Sequence, residues 1–181
     1  MSTQTAEKTA WALDPVHSEI QFKIKHLVIS TVTGQFNSFD ATMETPDGEF
    51  EGADIRFSAD INSIDTRNED RDTHLKSADF FKADEYPQLT FVSDSFTKTG
   101  DGEYTLTGDL TIRGTTKKVE LNAEYGGTVV DPYGQTKAGF DVTGSINRKE
   151  FGLTWNGVTE AGQLVVSDEV KLILSVQFVQ N

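Results

Sequence analysis

Glu19-Ile20-Gln21-Phe22-Lys23-Ile24-Lys25-His26 decides how the rest of this chain is read. Ile20, Phe22 and Ile24 fall at every second position, with charged or polar residues between them. A period of two sends alternate side chains to opposite faces of an extended strand. An amphipathic helix needs apolar positions both three and four apart, and no two of Ile20, Phe22 and Ile24 are three apart. It reads as a strand with one wet face and one dry face.

The same pattern extends in both directions. Upstream, Trp11 and Leu13 begin a short strand that Pro15 interrupts. Downstream, Val32, Gly34 and Phe36 share a face, whereas Phe39, Ala41 and Met43 have the opposite parity. That slip predicts a β-bulge near Asn37–Ser38. Ala53, Ile55, Phe57, Ala59 and Ile61 form the next stripe; Leu89 and Phe91 open another, with a second slip before Phe96. Three stripes follow: Tyr104 to Ile112, Val119 to Tyr125, and Ala138, Phe140, Val142, Gly144, Ile146. The last is Val170, Leu172, Leu174, Val176 and Phe178. Pro46-Asp47-Gly48, Gly100-Asp101-Gly102 and Asp131-Pro132-Tyr133-Gly134 are turn chemistry. Short connections force antiparallel neighbours. About eight such strands with one apolar face either close on themselves or split into a sandwich. Gly34, Gly108 and Gly144 lie on the apolar stripes, where glycine permits curvature or leaves space, and this favours closure. The expected fold is all-β, an eight-stranded antiparallel β-barrel. One short helix is expected within residues 66–82, ahead of an apolar turn. Residues 1–9 read as a disordered tail and 10–181 as a single domain.

Composition narrows the function. The chain has 181 residues and a net charge of −13, a surface that repels nucleic acid and anionic headgroups. It has no cysteine, which excludes disulfides and thiolate chemistry. No run approaches the roughly 18 apolar residues of a membrane span, so stable membrane insertion is not expected. Met1 to Ala10 is polar and lacks the apolar core of a signal peptide, which predicts a cytoplasmic location. Three histidines without metal-ligand spacing predict no metal and no cofactor. Asp14, His17 and Ser18 hold the residue types of a catalytic triad but crowd them into five positions. His17 is instead expected to be a turn histidine bonded to backbone.

Parity also separates the two ends of the barrel. In an up-and-down order, connections after odd strands share one rim. That rim receives both long excursions, 66–82 and 149–166, while the other receives the compact turns. The excursion rim is the expected mouth. His26 and Arg148 continue inward stripes to it; Arg67, Arg71, His74, Phe80, Phe81, Phe151 and Trp155 come from the excursions. The expected bore is lined by Ile20, Phe22, Ile24, Phe36, Phe39, Ile55, Phe57 and Phe91, with Leu106, Leu110, Phe140, Val142, Ile146, Leu172 and Leu174. A cationic, polar mouth on an apolar tube suits a ligand with a long apolar tail and a polar head. Eight strands also make a bore that side chains alone can fill. A filled, non-binding structural module is therefore a standing alternative. So is a small enzyme acting on a prenyl or lipid-like substrate through His26, Arg71 or His74.

An ordered series of motifs adds a resemblance. It runs through Trp11-Ala-Leu-Asp14-Pro15-Val-His17-Ser18, Phe22-Lys-Ile-Lys-His26-Leu, Val32-Thr-Gly34-Gln-Phe36 and Ser63-Ile-Asp65-Thr66-Arg67-Asn68. It continues in Arg71-Asp72-Thr-His74-Leu75-Lys76-Ser77, Asp79-Phe80-Phe81, Tyr86-Pro87-x-x-Thr90-Phe91, Gly108-Asp109-Leu110-Thr-Ile-Arg113-Gly114 and Ile146-Asn147-Arg148-x-x-Phe151-Gly152-Leu153. Over about residues 10–180 the chain resembles the YceI-like family of polyisoprenoid-binding proteins. The resemblance implies a lipocalin-like barrel holding a long isoprenoid, such as an isoprenoid quinone, or a similar amphiphile. It implies transport or storage rather than catalysis, a homodimer and no metal. It carries no agreed catalytic set.

Overall fold

Alternation in the sequence becomes one continuous antiparallel ladder in the computed structural model, which describes residues 8–27, 29–46, 49–157 and 165–181. The strands are β1 (Lys8–Leu13), β2 (Glu19–His26), β3 (Ser30–Phe36), β4 (Phe39–Pro46), β5 (Asp54–Asp60) and β6 (Ile64–Asp65). After helix α1 (Glu69–Lys76) come β7 (Gln88–Gly100), β8 (Glu103–Ile112), β9 (Thr115–Val130), β10 (Thr136–Asn147) and β11 (Val166–Gln180). Three staves are interrupted: β1 and β2 run in series, as do β3 with β4 and β5 with β6. Counted as staves there are eight, and the sheet closes into an eight-stranded lipocalin-like barrel. Closure comes from β1 on β11, where Trp11 faces Gln180 and Leu13 faces Phe178.

The breaks have local causes. Pro15 sits in a 3₁₀ turn, Pro15–His17, that separates β1 from β2. Asp14 caps it, its Oδ1 accepting from Val16 N–H at 3.1 Å. The expected bulge at Asn37–Ser38 is a corner instead. β3 pairs with β2 and β6, whereas β4 pairs with β1 and β5. Parity restarts there because a new ladder begins, and Ser38 Oγ donates to Asp60 Oδ2 at 2.9 Å to hold the corner. The second slip is a true irregularity, between Ser93 and Ser95. Lys8 and Thr9, read as tail, open β1 opposite Pro46 and Thr45. The rest of that tail, residues 1–7, lies outside the described residues, as do Asp47, Gly48 and residues 158–164 of the second excursion.

Helix α1 arises where the sequence places it. Asn68 Oδ1 accepts from Arg71 N–H at 3.0 Å, and Glu69, Asp70 and Asp72 complement the positive end of the helix.

The barrel ends differ, as parity implies. At the compact-turn end Phe50 folds inward from the β4–β5 connection. Its ring centroid lies 5.6 Å from Trp11, 5.1 Å from Tyr125 and 5.2 Å from Phe140. Phe96 stacks on Tyr104 at 4.6 Å beside them. This aromatic plug closes that end. The striped glycines leave no empty space. An added Cβ on Gly34 would lie 2.2 Å from Phe22 Cζ, and one on Gly144 2.2 Å from Leu121 Cδ2. Each facing side chain occupies its glycine's vacated volume. The open end carries a different signature. Four non-glycine residues take left-handed backbone, Leu27, Arg67, Lys82 and Arg113, with φ of 54°, 64°, 51° and 49°. All four lie in connections at that rim.

Candidate ligand-binding cavity

Inward side chains do not fill the upper barrel. Above the plug lies a cavity of about 360 Å³ with an almost wholly apolar lining. That is within the roughly 300–1,000 Å³ of small-molecule sites. Of the expected bore residues, Ile20, Phe22, Ile24, Phe36, Ile55, Phe57, Phe91, Leu106, Leu110, Phe140, Val142, Ile146, Leu172 and Leu174 all line it. Phe39 does not. It packs against the core from the corner where β4 begins, off the cavity. Met43, Phe96, Leu121 and Phe178 also line the space; they lie on the same inward stripes and follow from parity carried further. Leu75 lines it from α1, one helical turn after Arg71, and needed the helix to be placed first.

The mouth is assembled from the excursions. His74 meets Trp155 edge-on at 4.7 Å and Phe80 at 5.1 Å, and Phe80 lies 5.4 Å from Trp155. His74 Nε2 lies 2.9 Å from Asp79 Oδ2, which fixes the ring. Arg113 Nη1 donates to Phe80 O at 2.9 Å and Gly152 O at 3.3 Å, tying both excursions to the β8–β9 turn. Phe81 sits edge-on to Phe36 at 6.3 Å, and Phe36 lies 5.7 Å from Phe22, so aromatic rings descend one wall.

His26, Arg71, His74, Phe80, Phe81, Arg148 and Trp155 reach the cavity; Arg67 and Phe151 do not. Phe151 is 1% exposed beneath its 3₁₀ turn and belongs to the core. Arg67 is exposed, its left-handed backbone turning it to the outer face.

The two remaining arginines differ in what their donors do. Arg148 is buried, at 2% exposure. Its Nε donates to Ser167 O at 2.8 Å, and Nη1 to Leu153 O at 2.6 Å and Trp155 O at 2.8 Å. Nη2 donates to Val166 O at 3.3 Å. Burial lowers its pKa, and Asp168 opposes that shift. All its nitrogens are engaged with main chain, so Arg148 stitches the second excursion to β11. Arg71 donates from Nε to Thr66 Oγ1 at 2.7 Å and from Nη2 to Thr66 O at 2.5 Å. Thr66 is itself fixed by Asp72 Oδ1, which accepts from its N–H and its hydroxyl. Among the described residues Arg71 has no carboxylate within ion-pair distance, and its Nη1 has no partner.

Elsewhere the polar groups serve the frame. His17 Nδ1 lies 2.8 Å from Asp14 Oδ2, a carboxylate rather than the expected backbone partner. That bond holds the Asp14 carboxyl below its usual range, helped by Val16 N–H and Lys137 and opposed by partial burial. Ser18 Oγ accepts from Gln177 N–H, so these residues form a capped turn and no triad. Among the described residues no three His, Asp or Glu side chains gather as a metal site.

With this geometry established, known proteins agree with it. The YceI-like domain profile matches residues 11–178. A UPF0312 protein of Staphylococcus epidermidis is 38% identical over 171 residues, covering 94% of this chain and 97% of that protein. The crystal structure of the Campylobacter jejuni YCEI protein shares 34% identity at a TM-score of 0.73, covering 100% of this chain and 99% of that one. A polyisoprenoid binding domain from Saccharophagus degradans shares the fold at a TM-score of 0.70 and 15% identity, covering 94% and 98% of the two chains.

Proposed function

The chain belongs to the YceI-like family, and from that premise we propose that it is a binding protein for a polyisoprenoid or similar long-chain amphiphile. It carries or stores that lipid rather than transforming it. The observation that supports this most is the 360 Å³ apolar bore, plugged by Phe50 at one end and roofed by His74, Phe80 and Trp155 at the other. Each methylene moved from water into that lining contributes about 0.8 kcal/mol. A tail of a few isoprene units thus supplies micromolar binding before any head-group contact. The polyisoprenoid binding domain among its structural neighbours adds support for the ligand class. An isoprenoid quinone, a homodimer and a cytoplasmic location belong to the same proposal.

Organic extraction of the purified protein followed by mass spectrometry tests it. A co-purifying long-chain lipid at near-stoichiometric ratio is the expected result. A protein that yields no lipid, and takes up none from a prenyl alcohol, refutes the reading.

A further inference from the structure

Exposed apolar side chains occur at both ends of the barrel, and their surroundings differ. At the open rim β2 and β3 close with His26 opposite Ser30, and residues 27–29 make the turn. Gly, Asn and Asp are the residues that suit such a turn. Here Leu27 takes the left-handed backbone, with φ 54°, and Ile29 is 85% exposed. The turn thus combines backbone strain with apolar surface in water, and neither stabilises the barrel. It is nonetheless held in place. Leu27 N–H donates to Val165 O at 2.8 Å, and Ser30 Oγ donates to His26 O at 3.2 Å. His26 and Val165 line the bore, so this turn borders its mouth.

The net charge of −13 conceals a cationic wall beneath this turn. Lys23 and Lys171 are direct partners across β2 and β11, and Lys25 is the next outward residue toward the rim. All three are exposed, and among the described residues none is paired with a carboxylate. Like charges placed directly opposite weaken a ladder, so this wall does not serve the fold. On β2 and β11, rimward of Glu19, the carboxylates are Glu169 and Asp168, and Lys149 takes up Asp168 at 3.3 Å. The plugged end is the opposite case. Val129, Val130 and Tyr133 are exposed there, but Asp131 lies among them, and Lys137 is spent on Asp131 and Asp14 at 3.3 and 3.5 Å. An apolar tip above unpaired lysines is complementary to an anionic lipid surface. A second copy docked on this face by a two-fold axis would set the same lysines against each other.

We propose that the open rim docks on an anionic bilayer. Leu27 and Ile29 enter the headgroup layer, and the barrel tilts onto its β2–β11 wall so that Lys23, Lys25 and Lys171 lie against anionic headgroups. The contact is peripheral, and no strand crosses the bilayer. Docked this way, the mouth of the bore faces lipid, and an amphiphile passes between the two without crossing water. The docking needs no occupant in the bore, so it stands or falls separately from the function proposed above.

Flotation of the full-length protein tests it, with vesicles of phosphatidylcholine alone and of an equimolar mixture with phosphatidylglycerol. The protein is expected to float with the mixed vesicles at about 0.1 M salt, to float far less with the neutral ones, and to be released as salt rises. Ile29→Ser is expected to weaken partitioning about tenfold. Lys23→Gln and Lys171→Gln are each expected to weaken it about fivefold with no fall in Tm, because either one relieves the like-charge pair. Val130→Ser, at the wrong end, is expected to change nothing. Ile29 is exposed, so serine there leaves the barrel folded, and extraction should recover as much lipid from Ile29→Ser as from wild type. Equal flotation on neutral and anionic vesicles overturns the proposal, as does no flotation at all. Partitioning that survives Ile29→Ser, or that falls as far with Val130→Ser, also overturns it. A dimer in sedimentation that Ile29→Ser dissociates, without flotation of the wild type, reassigns the turn to a contact between copies and overturns it as well.

Discussion

Replacing Arg148 with methionine distinguishes a ligand contact from a structural stitch. Methionine keeps the aliphatic stem but removes donors to four carbonyls, at 2.8, 2.6, 2.8 and 3.3 Å. The Leu153 carbonyl is fully buried with it, and the other three are partly buried. A hydrogen bond to a charged donor contributes about 1.5–3 kcal/mol when buried, and a partly solvated one contributes less. Allowing the upper value at Leu153 and a fraction at the others gives a loss of about 4 kcal/mol. That is a large part of the roughly 5–15 kcal/mol that holds a domain together. At roughly 2–4 °C per kcal/mol for a chain of this size, Tm should fall by about 8–16 °C. Arg148→Lys should recover little, because one ammonium cannot reach carbonyls on both the excursion and β11. Thermal melting and urea titration measure the loss directly. If Arg148→Met melts within about 1 kcal/mol of wild type but no longer retains lipid, the residue is a head-group ligand and the stitching argument is wrong.

Other expectations follow from the same contacts. Gly108→Ala should cost about 2–3 kcal/mol, since its Cβ would lie 2.4 Å from the Val92 carbonyl oxygen and 2.8 Å from Ser93 Cα, both backbone. Gly144→Ala meets only the rotatable end of Leu121 and should cost less; urea midpoints in the reverse order would contradict this. Val142→Trp should fill the bore, leaving a folded barrel by circular dichroism from which extraction recovers no lipid; undiminished recovery argues against the bore as the site. Asp131 is held below the usual carboxylate range, first by Gln135 N–H and then by Tyr133 N–H and Lys137, with desolvation opposing. A depressed folded pKa contributes stability above the unfolded value near 4, which is lost as pH falls through the folded one. Asp131→Asn should therefore narrow the gap in Tm between pH 6 and pH 3, and a gap equal to that of wild type would refute the linkage.

The fold was legible because parity is a strict code. From Ile20 to Phe178 almost every inward stripe faces the bore, since a one-residue slip would expose the whole set. The slip at Asn37–Ser38 was visible, but its cause was not. A bulge and a corner both change parity, and only the pairing of β3 with β6 and of β4 with β1 separates them. The open rim was legible from loop lengths. Its division of labour was not, because parity says where a side chain points and nothing about what satisfies it. Arg148 and Arg71 both reach the cavity, yet the first is consumed by carbonyls from residues 153–167 and the second is anchored only by Thr66. Arg67 fell outside because a single left-handed residue reverses the chain, and no periodicity records that.

The left-handed residues of the open rim imply that resistance to opening is graded along the barrel axis. Leu27, Arg67, Lys82 and Arg113 each hold backbone that costs a side-chain-bearing residue about 1–2 kcal/mol. At the plugged end, Gly52, Gly102 and Gly134 take left-handed backbone without that cost. Local unfolding thus begins from a raised starting level at one end and a relaxed one at the other. Amide hydrogens in the rim connections should exchange well before those of β8 and β9 beside Tyr104. The end through which a ligand would pass is then also the end that loosens first, while the plug retains the barrel's register.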